Sequence, residues 1–312
     1  MGDVIHALPV AAAIHRAWPD TEITWVVDPR WMPLLEQNPA ISQIHPFPRG
    51  DFRGLGFLQA IKWYRKLRDL RAELVLDLQC LLRSGLMAFC SGSRRVVGLS
   101  DAREGAGFFY TDSVPVEKNE HAVTRYLRSL SALGIPRPED PEWFIPPGSS
   151  CSAFDPAEPY VVLHPFARGA GKSLGAESIA AFVDAFLESS PMRIVLVGVG
   201  DYFADHGPRC VNLLGKTDLS ELIGVLRRAQ FVASVDSGPM HLAAALGVRL
   251  LSIHTWSDPR RVGPYSKNAW IWQGGEIRKQ DLSTTPLPEQ VFTVRHAQEA
   301  GRFVASGGLP LF

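Results

Sequence analysis

Cysteine is scarce in this chain: four in 312 residues, at Cys80, Cys90, Cys151 and Cys210, with no CxxC pair. Such scatter excludes a disulfide framework and a cysteine-built zinc site, and it suits a reducing, cytoplasmic compartment. Long apolar runs are missing too. No stretch of 18 apolar residues exists, so no membrane-spanning helix is expected. Charge of one sign is not in excess, since 32 Lys and Arg face 32 Asp and Glu. A nucleic-acid binder needs a basic footprint, so nucleic acid is not an expected partner. The nine histidines form no HxxxH or HxH pair, and neither a metal nor a cofactor is expected. Three catalytic signatures also fail. Gly198-Val199-Gly200 lacks the third glycine of a dinucleotide fingerprint, and no GxSxG nucleophile elbow occurs. Gly171-Lys172-Ser173 has Phe166 where a P-loop carries its first glycine.

What is present is a globular composition, 46% hydrophobic and 21% charged. The length suits two domains of about 100–200 residues each. Continuous Val, Leu and Ile runs mark candidate strands at Ile23–Val27, Leu74–Leu78, Arg95–Leu99, Tyr160–His164, Arg193–Gly198, Phe231–Val235 and Leu250–His254. Strands buried on both faces of a parallel sheet read this way. Helical patterns alternate with them at Val4–Trp18, Leu55–Arg71, Ser84–Cys90, Glu120–Leu133, Ala176–Glu188, Leu219–Arg228 and Met240–Leu246. The alternation predicts an α/β fold with doubly wound parallel sheets. Prolines crowd Pro136–Pro159; they remove backbone donors and fix φ, which predicts a linker. Two domains follow, residues 1–147 and 148–312. Such domains, facing each other, bind ligands in the cleft at the carboxyl ends of their strands.

The N-terminus has two features of its own. Leu8–Ile14 is apolar like the core of a signal peptide, but Asp3 and His6 precede it and Arg16 follows. The expectation is an amphipathic helix, not a targeting segment. Only Met1-Gly2-Asp3 precedes that helix, so the strand on which a doubly wound domain opens is missing. A late start of the reading frame is the favoured explanation over a lost central strand.

Four places carry chemistry. Asp3 stands at a helix start, where an isolated acid is most often a cap favoured by the helix dipole. Its functional alternative is a general base on a hydroxyl, with His6 beside it. The run Asp236-Ser237-Gly238-Pro239-Met240-His241 follows a buried strand and opens a helix. A plain helix cap with a packed histidine would explain it. An anion site explains more: exposed backbone N–H groups, a glycine for close approach, a hydroxyl, and His241 from the first turn. The loop His164-Pro165-Phe166-Ala167-Arg168-Gly169-Ala170-Gly171-Lys172 puts two cations on a Gly-rich turn, which suits a diphosphate. Last, Arg49, Arg53, Lys62, Arg65, Lys66, Arg68 and Arg71 outnumber Asp51 and Asp69, and Trp63 and Tyr64 interleave. A solvated helix face competes here with a surface for a polyanionic or membrane-embedded acceptor, which Arg83, Ser84 and Arg103 would extend.

These residues also form a recognisable set. Met1-Gly2-Asp3-Val4-Ile5-His6-Ala7-Leu8-Pro9 resembles the N-terminal signature of the bacterial lipopolysaccharide heptosyltransferases, glycosyltransferase family 9. Val235 to Gly247 resembles that family's donor-site motif. Asp77-Leu78-Gln79 with Arg83-Ser84, and the loop at 164–172, are similar to it as well. Trp256-Ser257-Asp258-Pro259 and Val262-Gly263-Pro264-Tyr265 look more like the heptosyltransferase I branch than the II branch. The resemblance runs the length of the chain, in order.

It implies a GT-B fold of two Rossmann-like domains, the acceptor in the first and the nucleotide-sugar in the second. It implies inverting, metal-independent transfer of a heptose from ADP-heptose to the Kdo-lipid A inner core of lipopolysaccharide. By this resemblance Asp3 is the catalytic base and Lys172 the cation beside the donor diphosphate. His164, Arg168, Asp236, Ser237, Gly238 and His241 bind the donor, and Asp201 and Thr217 hold its nucleoside. His6, Arg49, Arg53, Lys62, Arg65, Lys66, Arg83, Ser84 and Arg103 meet a lipid-linked anionic glycan, with peripheral contact to the inner face of the cytoplasmic membrane. The alternatives are another nucleotide-sugar donor, a different glycan acceptor, or a catalytically silent binding paralogue.

Overall fold

A computed structural model of the chain describes residues 1–47, 57–155, 157–169, 171–283 and 285–309. The chain divides into two compact units, with the boundary between Pro146 and Pro147.

The first unit opens directly on helix α1 (Gly2–Ala17) and continues through β1 (Thr24–Val27), β2 (Gln43–Pro46), α2 (Phe57–Lys66), β3 (Leu74–Leu76), α3 (Leu82–Cys90), β4 (Arg95–Leu99), β5 (Asp112–Val114) and α4 (Ala122–Leu127). Its strands are parallel but fall into two sheets, β1–β2 and β3–β4–β5. Pro9 lies inside α1. Its nitrogen carries no hydrogen, so the Ile5 carbonyl loses its helical partner. Trp143 replaces it: the indole Nε1–H donates to that carbonyl at 3.0 Å. Trp143 and Ile145 also pack against the cluster of Leu8, Val27 and Leu35. The proline-rich segment is therefore no slack linker. Its first half is docked on the first unit, and Ser149 N donates to Ser220 O at 3.0 Å in the second.

The second unit contains β6 (Tyr160–His164), α5 (Ala176–Ser189), β7 (Arg193–Leu196), β8 (Cys210–Asn212), α6 (Leu219–Arg228), β9 (Phe231–Val235), α7 (Gly238–Ala245), β10 (Leu250–Ile253), α8 (Pro259–Val262), β11 (Ala269–Gln273), β12 (Glu276–Lys279) and α9 (Val294–Ala305). All twelve elements build around one seven-stranded sheet in the order β8-β7-β6-β9-β10-β11-β12. Only the β11–β12 pair is antiparallel. Every residue of β6, β9 and β10 is buried, as their unbroken apolar runs require. From β6 the chain winds outward to β8, then returns to the other side of β6 and winds out again from β9. The order reverses between β6 and β9, and it is at the carboxyl ends of such a pair that sheets of this kind bind their ligands. Among the described residues no helix is long and apolar enough to cross a membrane.

Candidate active site

The switch point of the second unit is built by the residues that end β6 and β9. His164 is the last residue of β6 and pairs in register with Ser234 of β9. Its ring Nδ1 lies 3.2 Å from Ser234 Oγ and 3.1 Å from Ser237 Oγ. Gly198 makes room for the ring: a Cβ there would stand 2.7 Å from His164 Cδ2, and its φ of +117° suits glycine. Burial pushes the His164 imidazole down to about 4, so it is neutral at pH 7. Ser237 is the N-cap of α7 but makes no side-chain cap. Its hydroxyl is turned to His164 instead, which leaves the first N–H groups of α7 without an intrahelical partner.

Lys172 reaches this point from the loop after β6. Its Nζ is 2.8 Å from Asp236 Oδ2, and both side chains are largely buried. The ammonium also lies 4.6 Å from the Trp256 ring centroid, a cation–π distance. An ammonium has three donors. Asp236 uses one, and the others remain for a ligand.

A further layer fixes Trp256. His254, fully buried after β10, bridges Ser252 Oγ at 2.7 Å and Ser257 Oγ at 2.8 Å. Burial holds it down to about 4 as well, against the opposing field of Asp236. Thr255 Oγ1 donates to Gly171 O at 3.1 Å and ties the two loops together. His254, Thr255 and Trp256 had no assigned role in the sequence reading. The rule that would have found them is position: they follow the strand next to β9 at the same edge.

In the first unit, Asp3 stands exposed in the first turn of α1. The Tyr126 hydroxyl of α4 is pushed up, by burial first and by the field of Asp3 second. His6 is buried, with its ring edge-on to His121 at 5.8 Å. His121 caps α4 by accepting from Val123 N at 3.1 Å. The starts of α1 and α4 thus converge on Asp3. A second convergence lies after β3. The buried Asp77 carboxylate accepts from Cys80 N at 3.0 Å, Ser84 Oγ at 2.9 Å and Tyr110 Oη at 2.8 Å. Ser84 is therefore a loop anchor.

The remaining predicted residues are spread out. Lys62, Arg65 and Lys66 are exposed on α2. The Arg83 guanidinium sits 5.9 Å over the Phe47 ring. Arg103 is exposed and its backbone N–H donates to Cys80 O at 2.9 Å. Arg49 and Arg53 lie outside the described residues. In the second unit Gly238 and the buried His241 belong to α7, next to Asp236 and Ser237. Arg168 is exposed on its loop and is not drawn into the Lys172–Asp236 group. Asp201 and Thr217 follow β7 and β8, at the same carboxyl edge but one and two strands beyond β6. Among the described residues no three His, Cys, Asp or Glu side chains group to hold a metal.

Two α/β units of parallel strands, the second with a cation and a helix N-terminus at its switch point, fit a GT-B glycosyltransferase. Residues 60–289 match the profile of "Glycosyltransferase family 9 (heptosyltransferase)", and the chain belongs to that family. It is 29% identical to lipopolysaccharide heptosyltransferase 1 of Escherichia coli strain K12, across 93% of this chain and 96% of that one. It is 24% identical to lipopolysaccharide core heptosyltransferase OpsX of Haemophilus influenzae, across 85% of this chain and 79% of that one. The solved E. coli heptosyltransferase WaaC with ADP superposes with a TM-score of 0.76 at 24% identity, covering 98% of this chain and 97% of the other.

Proposed function

We propose that the chain transfers a heptose from ADP-heptose, with inversion and without a metal, to the Kdo-lipid A inner core of lipopolysaccharide. The second unit takes the donor and the first the acceptor. The observation that carries this reading is the Lys172 ammonium, held by Asp236 and Trp256 beside the open N–H groups of α7. A leaving nucleoside diphosphate needs such a group. Named relatives act on lipopolysaccharide, and a solved structure of the same fold holds ADP.

The reaction is one displacement. The acceptor oxygen bonds to the anomeric carbon as the bond to the diphosphate breaks, and the diphosphate leaves with the electron pair. The acceptor proton passes to the Asp3 carboxylate, which is exposed and free to receive it. Charge growing on the diphosphate is met by the spare donors of Lys172, the Ser237 hydroxyl and the positive end of α7. His164 is a positioning residue: its neutral ring orients Ser237. Arg168, Asp201, Thr217, Gly238 and His241 complete the donor side. His6, Lys62, Arg65, Lys66, Arg83 and Arg103 serve the acceptor. We place the chain in the cytoplasm, where its four free cysteines stay reduced, in peripheral contact with the membrane that carries the acceptor.

Titration calorimetry with ADP, UDP and GDP, with and without a chelator, tests the donor. ADP is expected to bind selectively and to resist the chelator; preference for another nucleotide reassigns the donor. On the same footing Asp3→Asn is expected to lower turnover by about 10²–10⁴-fold with ADP affinity unchanged. Retained turnover removes Asp3 from the role of base.

A further inference from the structure

Helix α3 leaves an apolar row uncovered. Leu82, Leu86 and Phe89 recur at spacings of four and three, so they share one face, and all three are exposed, Phe89 by 62%. Next to it is the single 3₁₀ turn Ala106–Phe109. Phe109 meets Phe89 with ring centroids 5.6 Å apart, and Phe108 beside it is 93% exposed. Soluble surfaces rarely gather large apolar side chains this way without a partner.

The C-terminal end of the same helix runs into a cavity of about 550 Å³. Arg68, Arg71 and Arg94 line it, with Glu73 as the one carboxylate among the lining residues. None of the three guanidiniums is ion-paired among the described residues. Gly92, also in the lining, has φ +71° and lies against the Arg68 side chain. An apolar row continuous with a cationic cavity selects its partner by charge. A second copy of the chain, docking through the same face, would bring the arginines of both copies together, because a two-fold contact pairs a patch with itself. A bilayer containing anionic phospholipid satisfies both halves: acyl chains take Leu82, Leu86, Phe89 and Phe108, and headgroup phosphates take the arginines.

We infer that the α3 face of the first unit docks on an anionic phospholipid surface, with the Arg68–Arg71–Arg94 cavity seating a headgroup phosphate. The inference rests on the proposed reading of the first unit as the acceptor unit, and it adds which face meets the lipid.

The test is co-sedimentation of the full chain with vesicles of phosphatidylcholine and phosphatidylglycerol at 7:3, against pure phosphatidylcholine. The chain is expected to sediment with the anionic vesicles and to be released by high salt. Leu86→Ser with Phe108→Ser is expected to lower the partition coefficient at least tenfold, and Arg94→Gln about threefold. Both variants should keep the wild-type melting temperature and turnover on a soluble, deacylated acceptor. No sedimentation of the wild type, or equal sedimentation of all three proteins, overturns the inference. So does a lipid-independent dimer that Phe108→Ser abolishes. Turnover on the soluble acceptor separates the two failures: if it persists while vesicles are ignored, the docking face falls and the acceptor reading stands.

Discussion

At the scale of single residues, Gly198 decides the geometry of the donor site. Its φ of +117° is closed to most side chains, and any Cβ would collide with His164. Strain of about 1–2 kcal/mol adds to overpacking of about 1–3 kcal/mol. Gly198→Ala is therefore expected to destabilise the second unit by about 2–5 kcal/mol. It should also weaken ADP binding, because the displaced imidazole can no longer hold Ser237. Denaturant unfolding and calorimetry check both; unchanged stability would show that the ring has room to move. The importance of Gly198 was hidden in the sequence, where it served only to dismiss a dinucleotide fingerprint. Asp236, Ser237 and His241 were legible, because a buried run ending in Asp-Ser-Gly-Pro declares its own strand-to-helix turn. The Lys172–Asp236 pair was not, since its partners lie far apart in sequence and meet only when β6 and β9 lie side by side.

At the scale of elements, the start of α3 hangs on Asp77. Three donors satisfy the buried carboxylate, one each from the β3–α3 loop, from α3 and from Tyr110. Tyr110→Phe removes one of them while keeping the ring. The expected cost is about 1–3 kcal/mol, confined to the first unit, with faster amide exchange along α3. Exchange that speeds up nowhere would mean that Ser84 and the Cys80 amide suffice. Arg95–Leu99, Tyr160–His164, Phe231–Val235 and Leu219–Arg228 were legible to the residue, because burial on both faces or a clean amphipathic face leaves its period in the sequence. Other elements left no such trace. β2 is a half-exposed strand ending in a proline, and β12 is the charged run Glu-Ile-Arg-Lys. Helix α9 was not among the expected elements, although Ala297, Ala300, Phe303 and Val304 bury one face of it and Gly301 lies on that face. The glycine is a contact: a Cβ there would stand 2.5 Å from Phe182 O of α5. Residues Glu120–Leu133, expected as one helix, split at Arg128 into α4 and a 3₁₀ helix.

For the whole molecule, acid sensitivity has a definite source in the second unit. His164 and His254 both lie in the second unit, and burial lowers both to about 4 from 6.5. Folded, they bind fewer protons than unfolded between those two values, so their stabilisation is complete above pH 6.5 and is lost as pH falls toward 4. At 1.36 kcal/mol per unit, each withdraws about 3 kcal/mol by the acid end. In the first unit His45 is lowered too, by burial and then by Lys66, but it is only half-buried. Asp101, Asp112 and Asp258 are held below the usual carboxylate range, so their stabilisation is lost only at more acid pH. Between pH 7 and 5 the second unit is therefore expected to lose stability, and hydrogen exchange followed by mass spectrometry reads that loss segment by segment. ADP supplies the control. At a hundred times its dissociation constant a ligand of the folded state adds about 2.7 kcal/mol, close to what one buried imidazole withdraws. Saturating ADP should offset part of the acid loss in the second unit and leave the first unit's exchange as it was. A second unit that keeps its protection down to pH 5 would remove His164 and His254 as a source of acid loss, and equal protection of both units by ADP would mean that the nucleotide is not held by the second unit alone.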